Sequence, residues 1–541
     1  MVTLTLYGGV GVIGGTKALL EDGDSRLFFD FGTDYVRRGD YFEEFLAPRS
    51  GQGLLDLLEM GLLPPLEGLY RPDLVPPGDV WARYRDHPHY RELPPVDAVL
   101  ASHAHLDHTG YISFLRPEIP IYATAMTAFI AKALQDSSGS DFEREVVYLS
   151  QRAAGGEGVL GVARGGAYQG RPFALADAGG LAEEALDFWN WSPAKTKGLQ
   201  AAVLLDAPQE AGRLPVRHFP VDHSVYGACA WGVETSAGWV VYTGDIRIGT
   251  GSRGGDSEAF IAAARALRPR ALLCEGTRAP KRGEPAETPV GEEQVRENAL
   301  REVRAAGAGL VIADFGPRNV ERLLSFLSIC QEVGRQLVIL AKDAYLLDAM
   351  RLVDASLPDI SSHPCLRLYN DPKAQPTLWE QRVRDRYAGR FVTPAEVGRA
   401  PGDFVLCFSF WDVKNLIDIR PAGGRYIYST SEAFSEEQMI DVNRLANWLK
   451  HFGMQGVGLP VREQVGDQVT YRASQPGLHS SGHAGPDELL RLVREVAPKT
   501  LIPIHTESPG YFREALAGGD IEVVEPEYGR PITLDRGSVN G

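Results

Sequence analysis

The sequence predicts a mixed α/β chain of more than one domain, and three observations carry that expectation. Short apolar runs at 98–101, 239–242 and 272–274 read as buried strands, each followed at once by residues able to bind metal or exchange protons. Between Arg278 and Gly477, apolar runs (309–312, 336–340, 404–409) alternate with helical patterns (319–333, 436–451), the order expected of a Rossmann-like α/β domain. At 541 residues, the chain is long enough for two to four domains of roughly 100–200 residues each.

Composition narrows the function classes. An apolar fraction of 44% with 23% charged residues is ordinary for a globular protein. The net charge of −16 argues against bulk attraction to nucleic acid or anionic membrane, so any nucleic-acid contact needs a local basic groove or bound cations. Cys229, Cys274, Cys330, Cys365 and Cys407 are dispersed and mostly sit in apolar runs, which predicts small core residues in a reducing compartment rather than a disulfide framework. Neither a signal-peptide pattern nor an apolar run of membrane-spanning length occurs, so the expectation is a cytoplasmic protein.

In chain order, Gly9-Val10-Gly11-Val12-Ile13-Gly14 matches the dinucleotide fingerprint G-x-G-x-x-G, with Asp30 downstream. A dinucleotide fold needs a helix next; the run Thr16–Glu21, the turn Asp22-Gly23-Asp24 and Leu27–Asp30 predict a hairpin instead. Asp30, at a strand end, is expected to brace a neighbouring metal loop by hydrogen bonds. His87 and His89 flank a proline in a polar segment and read as surface loop, and 124–134 reads as helix. The Gly-, Ser- and Ala-rich stretch 136–200 has little periodicity and is expected to be an irregular excursion.

The stretch Ser102-His103-Ala104-His105-Leu106-Asp107-His108-Thr109-Gly110 follows the strand at 98–101 and concentrates metal-ligand chemistry. His103 and His105 share one side of an extended loop, while Asp107 and His108 point elsewhere, so one loop can serve two ions. His223, after an apolar strand, supplies a further imidazole; His218 competes with it, but the Asp222-His223-Ser224 context favours His223. Asp245, after the strand at 239–242, can bridge two cations through its two oxygens.

Taken together, these residues resemble the first four motifs of the metallo-β-lactamase superfamily. Leu272–Thr277, His479-Ser480-Ser481-Gly482-His483-Ala484 and Ile502–Glu507 resemble motifs A, B and C of its β-CASP nucleases, closest to ribonuclease J. The resemblance implies a metallo-β-lactamase αββα sandwich with an inserted Rossmann-like β-CASP domain. Residues 1–278 and 477–541 would form the first, and 279–476 the second. It further implies two divalent ions, most readily Zn, with Mn or Mg as alternatives. His103, His105 and His223 would hold one ion, Asp107, His108 and His505 the other, with Asp245 bridging. A water activated between the ions would attack the phosphodiester, with Asp107 counted in the catalytic set. His483 would be the general acid, Glu275 would orient it, and His479, Ser481 and Gly482 would bind substrate phosphate.

The histidine at motif C is the form found in RNA-processing members, so single-stranded RNA is the expected substrate, cut as a 5′-exonuclease, an endonuclease or both. A DNA-directed nuclease or small-phosphodiester hydrolase with the same site is the alternative, and a non-catalytic scaffold ranks last. Motif C reads His-Thr-Glu where His-Gly-Glu is common. Only 36 residues follow His505, too few for the extra C-terminal domain through which ribonuclease J typically dimerises, which leaves a homodimer as an open assembly. Arg318 and the clusters 268–270, 281–282 and 382–386 are further basic candidates for nucleic-acid contact.

Overall fold

The computed structural model describes residues 1–541 apart from 44, 140–141, 164, 203, 207, 250, 282–289, 317, 431–435, 466–467 and 536–541. The chain forms two compact units: Met1–Gly249 with Arg253–Glu287 and His483–Gly541, and Thr250–Ser252 with Thr288–Gly482.

The first unit is a sandwich of two sheets. Val2–Leu6, an alternating Val-Thr-Leu-Thr-Leu run, pairs antiparallel with Ala18–Asp22, which turns through Gly23 into Ser25–Phe29. The hairpin anticipated after the glycine motif is therefore present, and no helix intervenes. Ser25–Phe29 then pairs parallel with Ala98–Leu100, and that strand with Ile121–Ala123. The second sheet runs Glu210–Ala211, Leu214–Pro220, Cys229–Thr235, Gly238–Tyr242, Ala271–Glu275, Thr500–Ile504 and Glu522–Val523.

The period-two pattern explains the packing. Leu4, Leu20, Leu27, Phe29 and Leu100 from the first sheet meet Trp231, Val233, Tyr242, Leu273 and Ile504 from the second in one buried cluster. The other face of the second sheet carries Val241, Leu272, Cys274 and Leu501 against Phe260 and Ile261 of helix Gly254–Leu267 and Leu489 and Val493 of helix Pro486–Val496. A strand buried on both faces reads as an unbroken apolar run, which is what Ala271-Leu272-Leu273-Cys274 is.

The excursion expected over 136–200 is corrected in part. Phe173–Leu175 lies between Ile121–Ala123 and Leu204–Asp206, parallel to both, as a member of the first sheet. Helix Glu183–Asn190 packs Phe188 and Trp189 on Phe129 of helix Ala125–Ser137. A three-residue strand buried throughout has no alternation to detect.

The second unit holds seven parallel strands in the order Phe391–Val392, Leu366–Tyr369, Gln336–Ile339, Phe404–Leu406, Leu310–Asp314, Gly424–Tyr428 and Met454–Val457. Helix Glu292–Ala305 leads into the first of them in chain order, and helices including Val320–Val333 and Glu436–His451 connect successive strands, giving the Rossmann-like α/β arrangement anticipated from the alternating pattern. Among the described residues, no helix is long and apolar enough to cross a membrane.

Asp314, buried at the carboxyl end of its strand, accepts hydrogen bonds from Tyr426 Oη at 2.6 Å and Thr430 Oγ1 at 3.0 Å. Burial pushes its carboxyl up to about 6, against the pull of those two donors. The folded chain therefore holds this proton more tightly than the unfolded chain, whose carboxyl titrates near 4. The associated stability is complete below about pH 4 and is lost as pH rises through about 6. Asp314→Asn should flatten the decline in unfolding free energy between about pH 4 and 7 by up to about 3 kcal/mol. Denaturant titrations of parent and variant at both ends of that range check it.

Candidate metal centre

Three strand ends, one loop and the one-turn helix Leu106–Thr109 that continues it bring seven side chains of the first unit together. His103, His105, His223 and Asp245 form one group whose donor atoms all lie within 4.8 Å of one another; Asp107, His108, Asp245 and His505 form a second. Asp245 belongs to both. These are all the residues expected as metal ligands. A third group, Asp245, Glu275 and His483, adjoins them.

The bracing of the loop explains the geometry. Asp30, fully buried at the end of Ser25–Phe29, takes up φ +53°. Its Oδ1 accepts from Ser102 N at 2.7 Å, and its Oδ2 from Ser102 Oγ at 2.7 Å, His108 Nδ1 at 2.7 Å and Tyr242 Oη at 2.6 Å. With Nδ1 donating to Asp30, His108 presents Nε2 to the cluster, 3.2 Å from Asp245 Oδ2. Thr277 Oγ1 meets His505 Nδ1 at 3.0 Å and likewise leaves His505 Nε2 inward, 3.4 Å from Asp107 Oδ2.

Two glycines set how closely the neighbouring segments approach. A Cβ on Gly32 would lie 1.7 Å from the Asp107 carbonyl oxygen, and one on Gly14 (φ +87°) 3.1 Å from Asp107 Oδ2. His505 N donates to Gly9 O at 2.8 Å. The glycine motif of residues 9–14 thus packs against the centre.

The donor set fits bound divalent cations. His103 Nε2 lies 3.0 Å from His105 Nδ1, His105 Nδ1 lies 3.2 Å from His223 Nε2, and His108 Nε2 lies 3.2 Å from His505 Nε2. Nitrogen pairs so close match the edge of a tetrahedron with metal–nitrogen bonds of about 2.0–2.1 Å. Asp245 Oδ1 is buried with no hydrogen-bond partner, an orphaned acceptor that a cation would satisfy.

Electrostatics agree. Burial alone would raise the Asp107 and Asp245 carboxyls, but the His108 and His505 imidazoles hold both well below the usual range. Burial, then the neighbouring His108, hold His103 well below its ordinary value, so its lone pair is free. Against burial, Asp245, Asp107 and Asp30 raise His108 far above normal; the same negative field favours a metal ion in place of that proton.

Glu275 is fully buried, accepting from Ile246 N at 2.9 Å and Thr277 N at 3.0 Å. His483 Nδ1 meets its Oε1 at 2.9 Å and stands 4.0 Å from Asp245 Oδ2. Burial lowers the His483 pKa, but Glu275 and Asp245 outweigh it and raise the ring to about 9. His105, Asp107 and His483 are part-exposed, and they mark the open side of the centre.

His479, Ser481 and Gly482 belong to the second compact unit, as does Arg318. His218 faces Trp231 on strand Leu214–Pro220, outside the metal-ligand groups. His87 is exposed and His89 half-exposed, in keeping with a surface loop. Arg270 is engaged by Asp535 O and Thr500 Oγ1, Arg384 by Glu380, Asn370 and Asp371, and Lys281 by Glu507 at 2.8 Å. Arg282 lies outside the described residues. Sequence reasoning overlooked the roles of Ser102, Tyr242 and Thr277. Their only signal was adjacency to motif residues.

Comparisons with known proteins place this geometry among others. Residues 72–153 match a family profile described as a beta-lactamase superfamily domain, and residues 473–524 one described as a Zn-dependent metallo-hydrolase RNA specificity domain. A ribonuclease J of Mycolicibacterium smegmatis is 21% identical over 442 residues, covering 76% of this chain and 59% of the relative. A ribonuclease J of Mycobacterium tuberculosis (strain CDC 1551 / Oshkosh) is 24% identical over 314 residues, covering 54% of this chain and 47% of the relative. The chain therefore spans about half to three-fifths of the length of these curated relatives. A crystal structure of a protein of unknown function from Enterococcus faecalis V583 shares the fold, with a TM-score of 0.64, 21% identity, and coverage of 98% of this chain and 99% of that one.

Asp245→Ala should remove the donor common to both groups and lower the metal bound per chain, with the far-ultraviolet circular dichroism unchanged. Tyr242→Phe, which strips one donor from Asp30, should weaken metal affinity by about 10–100-fold. Elemental analysis and competition with a chelating dye measure both.

Proposed function

Because this chain belongs to the metallo-β-lactamase superfamily, in its ribonuclease J-like β-CASP group, we propose that it is a metal-dependent hydrolase of RNA phosphodiester bonds. The observation that carries the reading is the pair of donor groups sharing Asp245. His103, His105, His223 and Asp245 would hold one divalent ion, and Asp107, His108, His505 and Asp245 a second, Zn being the first choice for so many imidazoles. Such ions supply a nucleophile at neutral pH and offset charge on phosphoryl oxygens. Residues 1–278 and 477–541 constitute the metallo-β-lactamase domain in this reading, and 279–476 the β-CASP domain. The five unpaired cysteines suit a reducing compartment, the cytoplasm.

The protein's own groups do the rest. Asp30 keeps His108 in the tautomer that offers Nε2, and Thr277 does the same for His505. His483 donates Nδ1–H to Glu275, which leaves Nε2 to carry a proton to the departing oxygen. A ring held protonated up to about pH 9 is charged as an acid at neutral pH. His479, Ser481 and Gly482 bind phosphate oxygens of the substrate. The RNA preference draws support from His505 at motif C and from the description of the profile matched by residues 473–524.

End-labelled single-stranded RNA bearing a 5′-monophosphate, 5′-triphosphate or 5′-hydroxyl, incubated with Zn²⁺ or Mn²⁺, should be cut; DNA of the same sequence should be cut far more slowly. Equal cleavage of DNA would point to the broader phosphodiesterase. His483→Ala should retain both metal equivalents and lower turnover by about 10²–10⁴-fold, with a smaller loss for Glu275→Gln. Turnover that depends on protonated His483 should fall as pH rises through the His483 pKa, and that limb should vanish in His483→Ala. Metal content measured beside pH–rate profiles of the three proteins checks both outcomes.

A further inference from the structure

Just ahead of His479 in the sequence, two consecutive carbonyls are gripped from three directions within the second unit. Asn298 Nδ2, on helix Glu292–Ala305, donates to Gly477 O at 2.6 Å. Arg322 Nη1, on helix Val320–Val333, donates to Leu478 O at 3.0 Å and to Ser429 O at 2.7 Å. Ser429, following strand Gly424–Tyr428, donates its hydroxyl to Leu478 O as well, and its own amide donates to Asp314 O at 2.8 Å.

Arg322 is fully buried, and its remaining fork is neutralised by Glu292 through Nε at 3.1 Å and Nη2 at 2.9 Å. Gly477 takes φ +87°, and a Cβ there would lie 2.6 Å from Asn298 Nδ2, so the grip needs glycine at this point. A bidentate arginine carrying two carbonyl acceptors on its other arm is a geometry that lysine, a single point donor, cannot reproduce. Desolvating a guanidinium to hold carbonyl oxygens is costly, and the oxygen it reaches last, at Leu478, is the one that leads into the segment His479-Ser480-Ser481-Gly482.

We propose that Arg322, with Asn298 and Ser429, is a positioning residue that fixes the 479–482 segment in the conformation that binds substrate phosphate. The inference rests on the phosphate role given above to His479, Ser481 and Gly482. Arg322 touches no reacting atom; it acts through the backbone of Gly477 and Leu478.

The test compares Arg322→Lys and Asn298→Ala with a control, Arg335→Lys. Arg335 is a buried arginine of the same unit that holds the carbonyls of Gly307, Gly309 and Phe404. KM and kcat on single-stranded RNA, inhibition by inorganic phosphate, metal content and thermal unfolding are measured in the full chain. Arg322→Lys should raise KM and the phosphate inhibition constant about tenfold while kcat and both metal equivalents hold. Asn298→Ala should shift KM in the same direction by less. Arg335→Lys should lower the unfolding temperature without moving KM. If Arg335→Lys moves KM as far as Arg322→Lys, or if Arg322→Lys leaves KM and phosphate inhibition at the parent values, the positioning role is overturned. His479→Ala and Ser481→Ala separate the two levels of the argument. If both bind RNA and phosphate like the parent, the phosphate reading itself fails and this inference with it. If they weaken binding while Arg322→Lys does not, only the positioning role fails.

Discussion

The candidate centre depends on one buried carboxylate that binds no metal in the assignment above. Asp30 takes four hydrogen bonds, from the Ser102 amide and hydroxyl, the His108 ring and the Tyr242 hydroxyl. Those donors come from the metal loop and from a strand of the opposite sheet, so a single side chain ties the two sheets together where the ligands emerge. A charge buried so completely is tolerable only when its lone pairs are filled. The positive φ at Asp30 adds backbone strain of the order of 1–3 kcal/mol, which the four bonds more than offset.

The αββα layering follows from this requirement as much as from apolar burial. The proposed ligands lie on the loop after Ala98–Leu100, in the one-turn helix Leu106–Thr109 that continues it, and just past three strand ends, where a side chain can leave the sheet without breaking its ladder. The sandwich core beneath is filled by alternating residues from both sheets, with Trp231 and Phe29 among the largest. Close packing of that kind transmits strain rather than absorbing it, so the ligand loops inherit the rigidity of the core.

Much of the arrangement was legible in residue order. His103 to His108 advertise themselves by density, and His223, Asp245 and His505 by following apolar strands. The helical and strand alternation over 309–451 likewise shows the parallel sheet of the second unit. What stayed hidden has physical causes. Phe173–Leu175 is too short and too evenly buried to show a period. Tyr242 looks like one more aromatic in a strand until its hydroxyl is seen against Asp30. Arg322 reads as an ordinary surface cation of an amphipathic helix, because burial of an arginine depends on partners more than a hundred residues away. The glycine motif at 9–14 leads into a hairpin, as its sequence implies, but the close approach of Gly14 to Asp107 shows only in three dimensions.

The pairing of His108 Nε2 with His505 Nε2 joins residues 397 positions apart. A ribosome adding about 5–20 residues per second takes roughly 20–80 s to travel between them. Throughout that interval the nascent chain carries His103, His105, His108 and later Asp245, yet the second donor group is incomplete. The strand that delivers His505 also fills a place in the second sheet between Ala271–Glu275 and Glu522–Val523. Placing that strand therefore fills its position in the second sheet and completes the donor set together, and a chain that stops short of His505 lacks the second group.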